Sequence, residues 1–484
     1  MMIGGIRRAL LFASAGRYII MATNLAATAI VARLLTPAEF GISVVGSSVF
    51  FVAEALRELG SATYIVQQAE LTMEKTRTVF TITFIATIVI AALLAMAAVP
   101  LAHFYRTPNL ARYIQVMTFS YAVGPFIYPV YALMSRELAF QKISIIDVST
   151  AFLNAAVTVA LILAGFSYMS LAWASVASSA AAATLTFYFW RDIRIFRPSL
   201  KHWRGVLAFG IYGSITGVIY RASESFAYLI FGRILSPRAV GLLQRAVLLS
   251  HFPERVVLAG IGAVALPMFS DHARQGYDLK RTYLDTIEYI SVVQWPALLL
   301  LILLSEPIIL IVLGPQWSEV IPLMQIMAAA LLFDFATTLN YPILVAVGAV
   351  RHTALLAVAQ VVVSLSVLTF AGRYGLHAIA LGTLFVVPFN VAVSVVLVRV
   401  HVPFLWRELA AAMRKSAVTT GMFVIGPLTM VIACGSRANL SIGATLAAIG
   451  LGAVGWIGGL WLTDHPLLHE LRRAALRLSG YARA

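Results

Sequence analysis

Seven polar side chains interrupt otherwise apolar sequence: Arg17, Asn24, Arg221, Glu224, Arg245, Glu254 and Asp334. A charge within a long apolar segment is expensive, so contact with a ligand or ion is its first reading. The arginine fork matches phosphate oxygens, which makes the three arginines candidate anion contacts. Arg221 ranks first, followed by Arg245 and Arg17, with Asn24 as a neutral hydrogen-bonding partner. Arg221 and Glu224 are three residues apart and share a helix face. Glu224 therefore either pairs with Arg221 or carries a coupling proton. Asp334 is a second proton or cation candidate, and Glu254 a third. Blander readings stand beside these: Arg17 snorkelling to an interface, Glu254 and Arg255 forming a local pair, and Asp334 as a polar contact between helices. Glu54, Arg57 and Glu58 read as a self-compensated interfacial cluster.

The elements that position these residues are membrane spans. The 484 residues are 61% hydrophobic and 11% charged, against about 25% charged in soluble domains. Apolar windows of about 20 residues give some 14 transmembrane helices in an all-α polytopic chain. The first six cover 14–35, 40–62, 79–102, 111–134, 143–165 and 168–190. The next six cover 206–235, 239–269, 283–304, 320–346, 352–371 and 376–398, and a last pair covers 416–434 and 440–462. Spans seven and eight are long enough to suggest tilt or irregular ends. Pro125, Pro129 and Pro296 should kink their helices, and the small residues Ala177–Ala183 should permit close helix contact.

Charge sets the orientation. Of the 35 Lys and Arg residues, 24 fall in segments that share a side with both termini and 7 on the other side. The positive-inside rule makes the first side cytoplasmic. The net charge of +15 is thus a matter of topology, and no nucleic-acid surface is expected. Arg7 and Arg8 precede an apolar run, Ala9–Phe12, too short for a signal peptide. The lone Cys434 forms no intrachain disulfide, and the scattered histidines have no metal-ligand spacing. There is no phosphate-binding glycine loop, so no cofactor is expected, and the energy source would be an ion gradient, proton or sodium.

An internal repeat organises the spans. VARLLTPAEFG (Val31–Gly41) returns as FGRILSPRAVG (Phe231–Gly241). Six spans separate the copies, so the halves are parallel repeats about an axis along the membrane normal. In each copy the Pro suits a first helical turn with Thr36 or Ser236 as cap. The same offset aligns Asn24 with Glu224, Thr23 with Ser223 and Glu54 with Glu254. The expected domains are a six-helix lobe (1–190), a basic cytoplasmic linker (191–204), a second six-helix lobe (205–398), and two further helices with a basic tail (399–484).

The run VARLLTPAEFG with ELGSATYIVQQAELTMEKTRTVF (Glu58–Phe80) resembles bacterial polysaccharide flippases. These form the Wzx-like branch of the multidrug/oligosaccharidyl-lipid/polysaccharide exporter superfamily. GLLQRAVLLSHFPERV (Gly241–Val256), LPMFSDHARQGYDLKRTY (Leu266–Tyr283) and LGPQWSEVIPLMQIMA (Leu313–Ala328) extend the resemblance over both halves. The resemblance implies two lobes that open alternately to either side of the bacterial inner membrane. It also implies a cargo of undecaprenyl-pyrophosphate-linked oligosaccharide for exopolysaccharide or lipopolysaccharide synthesis, with membrane lipid, glycosyltransferases and a polymerase as partners. A cation-coupled multidrug exporter of the same superfamily is the alternative. A membrane polymerase or ligase is less favoured, because such enzymes carry a large external loop. Here the longest external loop is His103–Arg112, and no enzymatic activity is expected.

Overall fold

In the computed structural model the backbone is described for residues 2–57, 62–435 and 440–481. Within these, the side chains of 2–14, 62, 211–224, 257–264, 350, 354 and 474–481 are not described. The described residues are helical throughout, without strands. Two compact units divide the chain, Met1–Leu242 and Leu243–Ala484.

The first unit holds α1 (Met2–Leu34), α2 (Pro37–Arg57), α3 (Ala62–Gln67), α4 (Met73–Phe104), α5 (Asn109–Val123), α6 (Tyr128–Arg136), α7 (Phe140–Leu163), α8 (Met169–Phe189) and α9 (Trp203–Ile234), with the start of α10 (Pro237–Ser250). Pro125 and Pro129 act as the sequence predicts. The fourth span splits into α5, a 3-10 turn at Gly124–Phe126, and α6, since proline offers no N–H to the helical ladder. α1 packs on α7 and α2 on α9.

The repeated turns cap their helices as expected. Thr36 Oγ1 accepts from the Glu39 amide at 3.3 Å while Glu39 Oε2 accepts from the Thr36 amide at 2.9 Å, a reciprocal capping box. In the second copy the Ala239 amide donates to Ser236 Oγ at 3.3 Å. The two copies also touch. Gly41 lies against the backbone carbonyl of Pro237, and Gly241 against that of Pro37.

The basic segment 191–204 is a docked strap rather than a loose tether. Ile195 is 1% exposed, and Phe196 packs edge-on against Phe80 at 5.1 Å. Arg77 Nε donates to the Arg194 carbonyl at 2.9 Å and the Ser199 amide to Thr81 Oγ1 at 2.9 Å. Arg136 fastens the neighbouring corner. Its guanidinium donates to the carbonyls of Ile65, Gln68 and Ala69 at 2.9, 2.5 and 3.1 Å, satisfying the C-terminal end of α3.

The second unit holds most of α10, then α11 (Phe252–Gln275), α12 (Leu279–Leu303), α13 (Ser305–Val312), α14 (Val320–Leu331), α15 (Thr337–Ala346), α16 (Val350–Gly372), α17 (Leu376–His401), α18 (Trp406–Ala433), α19 (Ile442–Leu462) and α20 (Pro466–Tyr481). α12 continues through Pro296. Among the described residues, eleven helices are long and apolar enough to cross a membrane. The other three expected spans differ from that pattern for separate reasons. The middle of α9 lies outside the described side chains. The eighth span is interrupted at His251 between α10 and α11, where Pro253 starts a new helix. The tenth is interrupted between α14 and α15.

The turn from α19 into α20 is fixed by His465, which is fully buried. Its Nδ1 accepts from the Leu467 amide at 3.1 Å. Its Nε2 faces Ser416 Oγ at 3.4 Å and Glu288 Oε1 at 3.6 Å. Burial, aided by the nearby Lys415 ammonium, pushes the imidazole down to about 4. The unfolded chain would take up this proton near pH 6.5. Stability from this group is therefore complete above pH 6.5 and lost as pH falls towards 4, by up to roughly 3 kcal/mol. Thermal unfolding of purified protein from pH 7.5 to 4.5 should show this decline, and His465→Gln should flatten it. An identical pH dependence in the variant would assign the decline to other groups.

Candidate functional site

The polar residues singled out above fall into three groups. On α1, Arg17 and Asn24 are both exposed, and a spacing of seven puts them on one helix face. The neighbouring face is used for packing, with Gly16 against Ser144 of α7. Among the described residues, neither Arg17 nor Asn24 has a protein hydrogen-bond partner.

Arg221 and Glu224 sit on α9, but their side chains lie outside the described residues, as does Glu58 entirely. Their shared helix face therefore rests on sequence spacing.

In the second unit, Arg245 of α10 is 3% exposed. Its guanidinium lies over the Trp317 ring at 5.5 Å, a cation–π contact of the kind that becomes stronger when desolvated. Trp317 is itself fully buried and closes a 3-10 turn, Pro315–Trp317, that follows Gly314 at φ 99°. Two of the segments quoted for the family resemblance thus meet in space. Ser250 adds a contact between the same segments, its Oγ facing the Met324 carbonyl at 3.4 Å.

The third group forms around the two helix breaks. At the α10–α11 break, His251 Nδ1 is 2.8 Å from Glu254 Oε2. At the α14–α15 break, Asp334 Oδ1 is buried without a hydrogen-bond partner. Glu254 and His251 are close enough to act electrostatically on Asp334. Backbone freed from a helix at membrane depth must be satisfied by protein, and α12 supplies the donors. Gln294 Nε2 donates to the Asp334 carbonyl at 3.3 Å and Trp295 Nε1 to the Leu332 carbonyl at 2.8 Å. The arrangement brings two carboxylates and an imidazole within electrostatic reach of one another. Among the described residues, no cluster of three or more His, Cys, Asp or Glu side chains is arranged to hold a metal ion.

His251, Trp317, Gln294 and Trp295 were not among the sequence candidates. The His-Phe-Pro-Glu run at 251–254 carried a signal for the first, since proline two residues on marks a helix start within an apparent span. Arg57 pairs with Glu54, as the self-compensated reading expects, with the cation 4% exposed and the Glu54 side chain 29% exposed. Its guanidinium lies 3.8 Å from the Tyr128 ring centroid and 5.2 Å from that of Tyr121.

The fold is shared with solved transporters. A lipid II flippase, MurJ, superposes with a TM-score of 0.77, at 13% identity, over 95% of this chain and all of that one. A multidrug resistance transporter of the MATE family superposes with a TM-score of 0.66, at 14% identity, over 82% of this chain and 96% of that one. Among relatives in sequence, the lipopolysaccharide biosynthesis protein WzxC of Escherichia coli (strain K12) is 24% identical over 317 residues, 64% of this chain and 63% of WzxC. The succinoglycan biosynthesis transport protein ExoT of Rhizobium meliloti (strain 1021) is 25% identical over 302 residues, 62% of this chain and 60% of ExoT. The chain thus matches somewhat under two thirds of the length of these relatives. Residues 30–322 match the family described as polysaccharide biosynthesis protein. That stretch contains both copies of the repeated turn and the Arg245–Trp317 contact, and the chain belongs to the polysaccharide biosynthesis protein family.

Proposed function

We propose that the protein is a flippase. It would carry undecaprenyl-pyrophosphate-linked oligosaccharide from the cytoplasmic to the external leaflet of a bacterial inner membrane, by alternating access of the lobes 1–190 and 205–398. The observation that carries this reading is Arg17, an exposed cation in the first span of a chain from a polysaccharide biosynthesis family. A guanidinium so placed needs an anionic partner, and a pyrophosphate-linked glycan supplies one. Asn24, about two helical turns further along the same face, is suited to a sugar hydroxyl. Arg221 is the second cargo contact in this scheme, with Glu224 as its partner in the empty state. Arg245, expected from the sequence as a cargo contact, is instead buried against the fully buried Trp317, and its role in this scheme is to hold α10 to the Pro315–Trp317 turn. The Glu254–Asp334 neighbourhood would take the coupling proton or sodium ion. The pathway's glycosyltransferases and polymerase would act before and after transport.

The fold is also that of a multidrug exporter, and membership of the polysaccharide biosynthesis protein family favours the flippase reading. The test is made in cells whose capsule or exopolysaccharide depends on this chain. Arg17→Gln and Arg221→Gln should each lower export at least about tenfold, corresponding to roughly 1.4 kcal/mol or more of lost cargo interaction, at normal membrane levels. Lipid-linked oligosaccharide should accumulate on the cytoplasmic side. Full export by both variants would remove these arginines from the cargo site. Drug efflux that collapses while glycan export persists would favour the exporter reading.

A further inference from the structure

On the second unit, the start of α12, the end of α17 and the start of α18 form an open groove of about 540 Å³, lined by Lys280, Val396, Arg399, Phe404, Leu405 and Glu408, among others. It is remote in sequence from every cargo and ion candidate above. We propose that it is a binding site for one anionic glycerophospholipid, with the headgroup phosphate on Arg399 and an acyl chain along α17.

The charges of the groove are not equivalent. Glu408 is fully engaged: its Oε1 accepts from Lys280 Nζ at 3.0 Å and its Oε2 from the Leu405 amide at 2.7 Å. Lys280 and Glu408 thus neutralise one another and brace the wall. Arg399 is held differently. Its Nε donates to the Phe404 carbonyl at 2.8 Å, and its guanidinium lies over Trp406 at 5.1 Å. Those contacts fix the plane of the fork. Among the described residues, no hydrogen bond takes either Nη, so both Nη groups, with four N–H donors, remain available to a ligand. The net unmatched charge of the groove is one positive charge.

The walls identify the ligand as a lipid. Val396 and Val400 are one helical turn apart on α17 and 51% and 70% exposed, and Leu405 is 61% exposed. Such an apolar ridge beside a cation, with a half-exposed tryptophan at the same level, is the composition of the headgroup boundary. Phe404, 4% exposed and packed on Tyr283 with ring centroids 5.7 Å apart, gives the groove a rigid floor. One unmatched guanidinium suits a singly charged phosphodiester. A phosphomonoester or pyrophosphate carries more charge than the site can balance.

The test uses delipidated full-length protein and native mass spectrometry. Phosphatidylglycerol and phosphatidylethanolamine are titrated in competition, with undecaprenyl phosphate and inorganic phosphate as separate arms. Phosphatidylglycerol should be retained about fivefold better than phosphatidylethanolamine, the size expected of one interfacial cation. Arg399→Gln should abolish that preference, and Val396→Trp, which fills the groove from an exposed position, should lower retention of both lipids. Arg281→Gln, at an 83% exposed residue beside Asp285 and outside the groove, should change neither. A preference that survives Arg399→Gln overturns the site. If Arg399→Gln does not fold, undiminished retention by folded Val396→Trp overturns it instead. Displacement of phosphatidylglycerol by equimolar undecaprenyl phosphate or by inorganic phosphate overturns the choice of ligand.

Discussion

Gly41→Ala and Gly241→Ala are each expected to abolish glycan export and to leave little monodisperse protein after detergent extraction. The reason lies in the two copies of the repeated turn. A methyl group on Gly41 would collide with the Pro237 carbonyl, and one on Gly241 with the Pro37 carbonyl. In each case the obstacle is backbone at the first turn of a helix, so no rotamer change can relieve it. Overpacking that side chains can absorb costs roughly 1–3 kcal/mol, and a backbone obstruction belongs at or above the top of that range. The two contacts are reciprocal, as expected where a repeat packs on its own copy, so the variants should fail alike. Gly421→Ala is the control. It lies in α18 with nothing within 4 Å of an added Cβ, and alanine is the better helix former by about 1 kcal/mol. Size-exclusion profiles and export assays of the three variants decide the matter. Wild-type export by Gly41→Ala would mean that the two turns do not pack in this way.

That contact also marks how far the sequence could be read. The identity of Pro37 with Pro237 and Gly41 with Gly241 announced a repeat and a tight turn, both of which follow from local chemistry: a cap, a fixed proline φ and a missing Cβ. That the copies lean on each other is a tertiary fact, which one sequence does not encode in any local period. The prolines of the fourth span were legible for the same local reason. The interruption of the tenth was not, because its freed carbonyls are satisfied from α12, Asp334 by Gln294 and Leu332 by Trp295, 40 and 37 residues away along the chain. The candidate site divides along the same line. Arg17 and Asn24 lie on one face by simple helical arithmetic, and the structure leaves them open. Grouping Asp334 with Glu254 and His251 required two helix breaks to be placed together. Arg245 was read as a charge within a span, but its partner Trp317 lies 72 positions on and showed no charge pattern to reveal it.

Arg57 gives the second large effect, because the cation is buried within the protein. It closes α2 with 4% exposure, paired with Glu54 and stacked over Tyr128 at 3.8 Å. Tyr121 stands on another side and is itself fixed by a hydrogen bond from its hydroxyl to the Ala53 carbonyl at 3.0 Å. Gly124, in the 3-10 turn between α5 and α6, leaves the space the guanidinium fills. α2, α5 and α6 therefore meet at one planar cation. Breaking a fully buried pair costs about 3–5 kcal/mol; Glu54 is 29% exposed, so the loss here is about 2–3 kcal/mol, most of it from the lost aromatic stack and packing of the guanidinium. Arg57→Ala should accordingly lower the thermal midpoint of purified protein by several degrees, with loss of export following from the fold. Arg57→Lys should recover only part of this, as an ammonium restores the charge but not the planar stack or the fork. Glu54→Gln should be milder than either, because its side chain is 29% exposed and water can compensate. The order Ala, Lys, Gln in severity is what the packing requires. Equal stability of Arg57→Lys and wild type would reduce the site to a simple charge pair and remove the aromatic contribution.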